Sequence, residues 1–361
     1  MYVQEVVTKT ISMIKITKNR VGIISDLHLG VHTNSTYWHS IAIKWAYWLR
    51  DEFREKEIKD IVFCGDWHHN RSEISVNTLQ VSADILEIFK EFNVIAILGN
   101  HDVYYKHRID VNSLSIFKGR ENITIVDEPT TVNAFGKTIT LCPWETGTGQ
   151  IPKSDVIFGH FEIETFKMNQ YKVCEEGTKI KDILAKSGLV ISGHFHTRHE
   201  KKYSKGTILY VGNPFQMDFG DVGNKKGYHI LDLDSLEYTF YENTISPLYK
   251  KIKLSELIAY KNITSEVKRI FKGNIVKLNL DRQISREDLT FLTNKLLLLK
   301  PEKLNTEYDM SLSQCNNLTG ERDLSGIDIQ AAIEEFVSML DVEESDSILS
   351  TTLDLFKKCS I

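Results

Sequence analysis

Residues 94–102 read VIAILGNHD, and this stretch decides the fold class. Its first five residues are apolar, as in a strand that is buried on both faces of a parallel sheet. A glycine, an amide, an imidazole and a carboxylate follow without a spacer. Because open α/β sheets bind ligands beyond the carboxyl ends of their strands, the stretch predicts an α/β protein with a polar site at a strand end.

Four other apolar runs end in the same way, at residues 21–25, 61–64, 155–158 and 189–192. The polar fragments after them are Asp26-Leu27-His28, Gly65-Asp66, Gly159-His160 and Gly193-His194-Phe195-His196. Glycine immediately precedes the polar residues in most of these fragments. We expect all the fragments to meet at one place, since the carboxyl ends of such strands share an edge.

The fragments together supply carboxylates, imidazoles and one amide, a donor set that suits Mn²⁺ or another borderline divalent metal. Asp66 follows its strand directly, as a carboxylate that bridges two ions would. Two metals ~3.5–4 Å apart clamp the oxygens of a phosphate ester and lower the pKa of bound water. We therefore predict two divalent ions, Mn²⁺ before Mg²⁺, and these ligands: Asp26, His28, Asp66, Asn100, His160, His194 and His196.

Three further residues are predicted to be catalytic: His101, Asp102 and His69. His101 follows Asn100 and should face the same cavity, where a protonated imidazole would stabilise the phosphate or protonate the leaving alkoxide. Asp102 would orient His101 and favour its charged form, or it would only cap the following loop. Of the pair His68 and His69, we expect one to contact substrate and the other to be exposed.

Composition restricts the class of protein. A chain of 361 residues suggests two or three modules, and its net charge of −5 argues against a generally basic, DNA-coating protein. Five cysteines without CxxC spacing indicate free thiols in a reducing compartment, which predicts a cytoplasmic protein. No apolar stretch approaches ~20 residues, and residues 1–20 lack the features of a signal peptide. Met13 as an alternative start and an edge strand over residues 6–16 both remain open.

The chain divides into four predicted parts. Residues 1–245 alternate strands with helices such as 36–53 and 76–92, and residues 246–310 resemble a small α+β module. A polar linker covers 311–326, and residues 327–361 carry two short amphipathic helices. Such helices cannot bury both apolar faces alone, so they either pack back on the main body or bind a partner.

The order D-x-H, G-D, G-N-H-[DE], G-H and G-H-x-H resembles the calcineurin-like metallophosphoesterase superfamily. The resemblance implies a two-sheet α/β/β/α sandwich. Protein phosphatases of this superfamily carry arginines beside the second and third motifs, and this chain has His69-Asn70 and Leu98 there instead. That difference argues against a phosphoprotein phosphatase.

Within the superfamily the chain is most similar to the SbcD/Mre-type DNA repair nuclease subunits, especially the recombination endonuclease subunits of T-even-like phages. The shared features are a histidine three residues after the bridging aspartate, here His69, and the segments at 210–214, 219–221 and 226–228. The resemblance implies that Asp26, His28, Asp66 and His196 hold one metal, and that Asp66, Asn100, His160 and His194 hold the other. His101 would be the phosphate-stabilising histidine and His69 would assist with DNA ends.

The same resemblance implies partners. Residues 246–310 would cap DNA, residues 327–361 would bind the coiled coil of an SMC-like ATPase, and the two helices at 36–53 and 76–92 would pair in a homodimer. The leading hypothesis is thus a Mn²⁺-dependent exo- and endonuclease subunit that acts on duplex and single-stranded DNA in recombination and repair. Candidate phosphate contacts are Lys106, Arg108, Lys201, Lys202, Lys225, Lys226, Lys250 and Lys251.

Two alternatives stay open. One is a small-molecule phosphodiesterase or phosphatase of the same superfamily, which the metal site alone does not exclude. The other is a scaffold that mainly holds the ATPase and bridges DNA ends, with weak chemistry. The additional module and the C-terminal helices favour the nuclease over the small-substrate enzyme.

Overall fold

The computed structural model describes residues 14–168, 172–260, 262–308 and 350–353. The predicted linker at 311–326 lies outside the described residues. So do nearly all of the predicted helical pair at 327–361 and residues 1–13 of the N-terminal segment.

Strands dominate the described chain. In chain order they are β1 (Arg20–Ile24), β2 (Asp60–Phe63), β3 (Asn93–Ile97), β4 (Val103–Tyr105), β5 (Arg108–Asn112), β6 (Ile123–Val126), β7 (Thr130–Ala134), β8 (Lys137–Cys142), β9 (Val156–His160), β10 (Leu189–Gly193), β11 (His199–Tyr203), β12 (Gly206–Tyr210), β13 (Gly227–Asp232), β14 (Tyr238–Glu242), β15 (Tyr249–Lys253), β16 (Ile275–Leu280) and β17 (Lys303–Tyr308). The main helices are α1 (Thr36–Glu55), α2 (Val76–Ile88), α3 (Ile180–Leu184), α4 (Leu254–Ala259), α5 (Ser265–Phe271) and α6 (Arg286–Leu297).

Two six-stranded sheets pack face to face. The first has the order β14-β13-β1-β2-β3-β6 and the second β11-β12-β10-β9-β8-β7. Their central strands are parallel and rich in Val and Ile, because both faces of each strand are covered. Ile23, Val62 and Ile95 of the first sheet share one buried cluster with Phe158 and Ile191 of the second. The predicted α/β/β/α sandwich is confirmed.

Helices α1 and α2 cover the outer face of the first sheet. Helix α1 falls on the predicted helix 36–53 and buries an apolar stripe at helical spacing: Trp38, Ile41, Trp45, Leu49 and Phe53. Helix α2 begins after Ser75, whose side chain accepts a hydrogen bond from the Thr78 amide. The second sheet is covered by α3 and by an apolar segment around Phe166.

A three-stranded parallel sheet, β15-β16-β17, follows the sandwich and packs with α4, α5 and α6 around its own apolar cluster. Helix α6 begins after Ser285, whose side chain accepts a hydrogen bond from the Asp288 amide at 3.0 Å. Helices α4 and α5 follow β15 as two separate short helices. Tyr249 and Ile275 join the core under α1, so this small sheet contacts the sandwich directly.

Two antiparallel hairpins, β4–β5 and β11–β12, were not predicted from the sequence. The first forms a sheet of its own, and in the second β11 is the edge strand of its sheet. Strands β4, β5 and β11 are mostly exposed or half-buried, so their apolar signal is weak. Tyr104 and Tyr105 of β4 are 50% and 43% exposed. Among the described residues, no helix combines the length and the apolar character that crossing a membrane requires.

Candidate metal centre

The polar fragments lie at the carboxyl ends of five strands. Strands β1, β2 and β3 of the first sheet and β9 and β10 of the second sheet bring them together. The site therefore straddles both sheets, whereas the sequence pattern predicted a site at a single sheet edge. All the predicted ligands are adjacent to one another.

One group consists of Asp26, His28 and His196, whose donor atoms lie within 4.8 Å of one another. The Nε2 atoms of His28 and His196 face each other at 2.9 Å. Asp26 Oδ1 accepts a hydrogen bond from the His194 amide at 3.1 Å. Its Oδ2 atom is buried and has no hydrogen-bond partner among the described residues. A buried carboxylate oxygen of this kind needs a cation or a donor to offset its lost hydration.

A second group consists of Asp66, His160 and His194. The amide oxygen of Asn100 lies 3.0 Å from His160 Nε2 and 2.9 Å from His194 Nδ1. Asp66 Oδ2 lies 3.3 Å from His160 Nε2 and 3.5 Å from His28 Nε2. One carboxylate oxygen thus sits between the two groups, in the position of a bridge.

The electrostatics of the centre follow from burial and mutual contact. Burial lowers the pKa of His28 well below its usual value, and burial together with His160 lowers the pKa of His194 to about 3. Asp66 outweighs the effect of burial on His160 and raises its pKa to about 9. In return His160 holds the pKa of Asp66 well below its ordinary value in spite of burial. Only neutral imidazoles bind metal ions, so His28 and His194 are already in the binding form, whereas His160 must release its proton when an ion binds.

The residues present therefore fit two divalent cations. One would be held by Asp26, His28 and His196, the other by Asn100, His160 and His194, with Asp66 common to both. Oxygen and imidazole donors without a thiolate favour Mn²⁺ or a similar ion over a structural zinc site.

Four of these residues adopt left-handed backbone conformations that L-amino acids rarely take. The φ angles are +54° at Asp26, +47° at His28, +63° at Asp66 and +94° at His194. Each such residue costs on the order of 1–3 kcal/mol and persists where the surrounding structure imposes it. This clustering of strain is typical of a functional site.

The glycines before the polar residues are required by close packing. A Cβ atom at Gly99 would lie 2.2 Å from Asp66 Oδ1, and one at Gly65 would lie 2.3 Å from His160 Nδ1. Gly65 also has a φ of +95°. Only glycine lets the strand ends approach each other this closely.

His101 and His69 line the group on the His28 side. The His101 amide donates to Asp66 Oδ1 at 2.8 Å, and the His101 ring donates from Nδ1 to the carbonyl of His69 at 2.5 Å. These bonds fix the ring and leave Nε2 available. His69 Nδ1 lies 3.3 Å from His28 Nδ1, and its ring stacks on His101 with centroids 5.5 Å apart.

The sequence is similar to known phosphoesterases, in agreement with the geometry of the centre. Residues 20–236 match the profile of the calcineurin-like phosphoesterase superfamily domain, which is more than half of the chain. The chain belongs to that superfamily. Exonuclease subunit 1 of Enterobacteria phage T4 is 24% identical over 348 residues, covering 90% of this chain and 94% of its own length.

Two solved structures are also similar to this phosphoesterase. An archaeal phosphodiesterase has a TM-score of 0.36 at 15% identity and matches 62% of this chain and 99% of its own. GAP50 of Plasmodium has a TM-score of 0.39 at 11% identity and matches 62% of this chain and 88% of its own.

The contacts of the Asp102 carboxylate in this phosphoesterase differ from those predicted. This carboxylate does not contact the His101 ring but accepts four backbone hydrogen bonds. The Oδ2 atom accepts from the amides of Asp66 and Gly99, and Oδ1 accepts from those of Trp67 and His68, at 2.8–3.1 Å. Asp102 therefore shapes the loop that presents Asp66. The sequence shows only that Asp102 follows His101, and this does not reveal that its carboxylate points to the amides of another loop.

Two other expectations were wrong. His68 is buried rather than exposed, and its Nδ1 lies 2.8 Å from the Ser113 hydroxyl. Lys226, a candidate phosphate contact, is also buried. Its Nζ donates to Asp221, Asn213 and, at 2.7 Å, the carbonyl of His196.

Lys226 thereby anchors residues 213–221, which we term the strap. The strap also contacts the small sheet. Within it, the carbonyl of Met217 accepts a hydrogen bond from the Tyr249 hydroxyl at 2.7 Å, and Gln216 accepts one from the Tyr249 amide at 2.6 Å. Tyr249 is the first residue of β15. One short segment thus connects the backbone of His196 with the small sheet.

Trp144 is next to the site, and it was not predicted from the sequence. Its ring centroid lies 5.2 Å from that of His194 and 6.0 Å from that of His160. A single tryptophan between Pro143 and Glu145 carries no spacing signal, so only its place after β8 could have suggested it.

Proposed function

We propose that this phosphoesterase is the Mn²⁺-dependent nuclease subunit of a complex with an SMC-like ATPase, and that it hydrolyses DNA phosphodiesters in recombination and repair. The observation that carries the proposal is the carboxylate oxygen of Asp66 between two groups of imidazole and oxygen donors. The similarity to an exonuclease subunit over 94% of that protein supports DNA as the substrate.

The proposal assigns a role to each residue of the centre. Asp26, His28, Asp66 and His196 hold one ion, and Asp66, Asn100, His160 and His194 hold the other. Bound there, the two ions would orient the phosphate and lower the pKa of water. His101 is fixed through Nδ1, so its Nε2 faces the phosphate and carries a proton to the leaving 3′ oxygen. His69, stacked on His101, contacts the DNA end.

Similarity beyond residue 236 favours this function over a small-molecule phosphodiesterase. The superfamily profile ends at residue 236, whereas the match to the phage exonuclease subunit covers 90% of the chain. The additional matched length includes the small sheet, which a small substrate does not require. We propose that this sheet caps DNA against the sandwich.

The partner assignments rest on the same relative, which is named as a subunit. We propose that residues 327–361 bind the ATPase coiled coil, and that the surfaces of α1 and α2 pair in a homodimer. The complex would act in the cytoplasm of the host cell. Truncation after residue 326 should abolish co-purification with the ATPase and leave hydrolysis of bis(p-nitrophenyl) phosphate intact.

Degradation of linear DNA tests the function. Purified protein should degrade duplex and single-stranded DNA with Mn²⁺ and lose this activity after EDTA treatment. Asp66→Ala should be inactive, whereas Asp234→Ala, at an exposed aspartate in the turn between β13 and β14, should match the wild type. Hydrolysis of bis(p-nitrophenyl) phosphate without DNA cleavage, even with the ATPase added, would instead support a small-substrate phosphodiesterase. ATPase stimulation that persists in Asp66→Ala would assign the protein mainly a scaffolding role.

A further inference from the structure

A cavity of about 520 Å³ opens beside the group of ligands that contains His160. One wall comes from the loop after β8, residues 144–148. The opposite wall comes from residues 160–162 and from residues of the segment 177–182. Trp144 forms the wall next to the metal centre. Its ring is half-buried, with one side against His194, so part of the indole face is available to a ligand.

The walls of this cavity are held in place by local hydrogen bonds. The Trp144 amide donates to the carbonyl of Leu98 at 2.9 Å, which fixes the tryptophan to the strand end that carries Asn100. The Thr146 hydroxyl donates to the carbonyl of Pro143 at 2.7 Å. On the other side, the Thr178 amide donates to the carbonyl of Glu162 at 2.8 Å. The site is therefore formed before a ligand binds, as small-molecule sites usually are.

Charge identifies the part of a substrate that fits. Apart from His160, which belongs to the metal centre, the charged groups of the lining are three carboxylates, Glu145, Glu162 and Asp182, and the ammonium of Lys179. A run of phosphates would be repelled there. A neutral group with hydrogen-bond donors and a flat aromatic face is favoured, and a nucleobase on its sugar has both properties. The volume is ample for one nucleoside.

We propose that this cavity is the subsite for the unpaired nucleoside next to the scissile phosphate, with the indole of Trp144 as its stacking platform. The inference rests on the proposed nuclease function. A base on Trp144 would place its own phosphate beside His194 and His160, where the second ion is proposed to bind. Stacking on an aromatic face accepts every base, which suits an enzyme that degrades DNA regardless of sequence.

Calorimetric binding of two ligands tests the subsite without turnover. Thymidine 5′-monophosphate and methyl phosphate carry the same phosphate, and only the first has a nucleoside. Mn²⁺-loaded wild-type protein should bind the nucleotide more tightly. Trp144→Ala should lower the ratio of the two affinities about 5- to 150-fold, the range expected for one stacked base. Trp144→Phe should recover most of the ratio, because it keeps a flat ring.

The matched control is Phe291→Ala, which removes an aromatic ring that is 62% exposed on α6. It should keep the wild-type ratio. Equal affinities for both ligands in the wild type, an unchanged ratio in Trp144→Ala, or no binding of either ligand at millimolar concentration would each overturn the subsite. Failure of the nuclease proposal can be told apart from failure of the subsite. If only the nuclease proposal fails, the wild type prefers the nucleotide and Trp144→Ala loses that preference, but the protein leaves DNA intact.

Discussion

Replacement of Asp102 by asparagine tests whether this residue shapes the Asp66 loop or acts through His101. The carboxylate accepts four backbone hydrogen bonds, two on each oxygen. In asparagine one oxygen becomes an NH₂ group, which faces two N–H donors whichever way the amide is turned. Two hydrogen bonds to a charged acceptor are then lost, at about 1.5–3 kcal/mol each, so the free energy of unfolding should fall by about 3–6 kcal/mol.

Urea unfolding of the metal-free protein, followed by circular dichroism, measures this change. Burial and the nearby Asp66 carboxylate raise the pKa of Asp102 to about 7, so the fold disfavours the charged carboxylate. The measurement belongs at pH 8.5, where the group is charged, and that cost should place the loss at the lower end of the range. His101→Gln is the control. It removes one ring hydrogen bond and should cost less than about 1.5 kcal/mol, while abolishing DNA hydrolysis.

The competing view predicts a different pattern. If Asp102 only orients His101, both variants should lose activity to the same degree and both should stay nearly as stable as the wild type. A loss below about 1 kcal/mol for Asp102→Asn would refute the role assigned to the four backbone bonds.

Three other substitutions test packing, pairing and protonation, each by urea unfolding. Gly22→Ala should cost about 1–3 kcal/mol, because the new Cβ would lie 2.5 Å from the Phe53 ring; Phe53→Leu in the same chain should recover part of the loss. Lys226→Met should cost about 3–5 kcal/mol by leaving Asp221 buried without its partner, and a smaller loss in the double variant with Asp221→Asn would confirm the pairing. Burial lowers the pKa of His229 to about 3, so the unfolded chain takes up its proton first and stability falls as pH drops below about 6.5. His229→Gln should reduce that slope between pH 6 and 5 by about 1.4 kcal/mol per pH unit, and an unchanged slope would contradict the assignment.

Much of the fold and the meeting of the candidate ligands at one place were predictable because the information is local. Buried strands such as 94–97 are continuous apolar runs, and each polar fragment follows its strand directly. The hairpin at Val103–Tyr105 was not predictable, because its side chains are largely exposed and show no apolar alternation.

Roles that depend on direction or on distant partners were not predictable either. Asp102 is next to His101 in the chain, yet its oxygens point to the amides of another loop. Lys226 looked like a surface cation, since its partners Asn213 and Asp221 approach only after the strap folds over it. Trp144 acquires its place from strand β8, which ends beside β9 in the second sheet.

The strap has a thermodynamic consequence. Through Lys226 it is bonded to the carbonyl of His196, and through Met217 and Gln216 to the first residue of the small sheet. The orientation of that sheet and the placement of His196 are therefore not independent variables. A ligand that rotated the small sheet would change the affinity of the centre for its ions, and ion binding would then change the affinity for that ligand by the same factor. Through the strap, ion occupancy of the metal centre would depend on what the small sheet contacts.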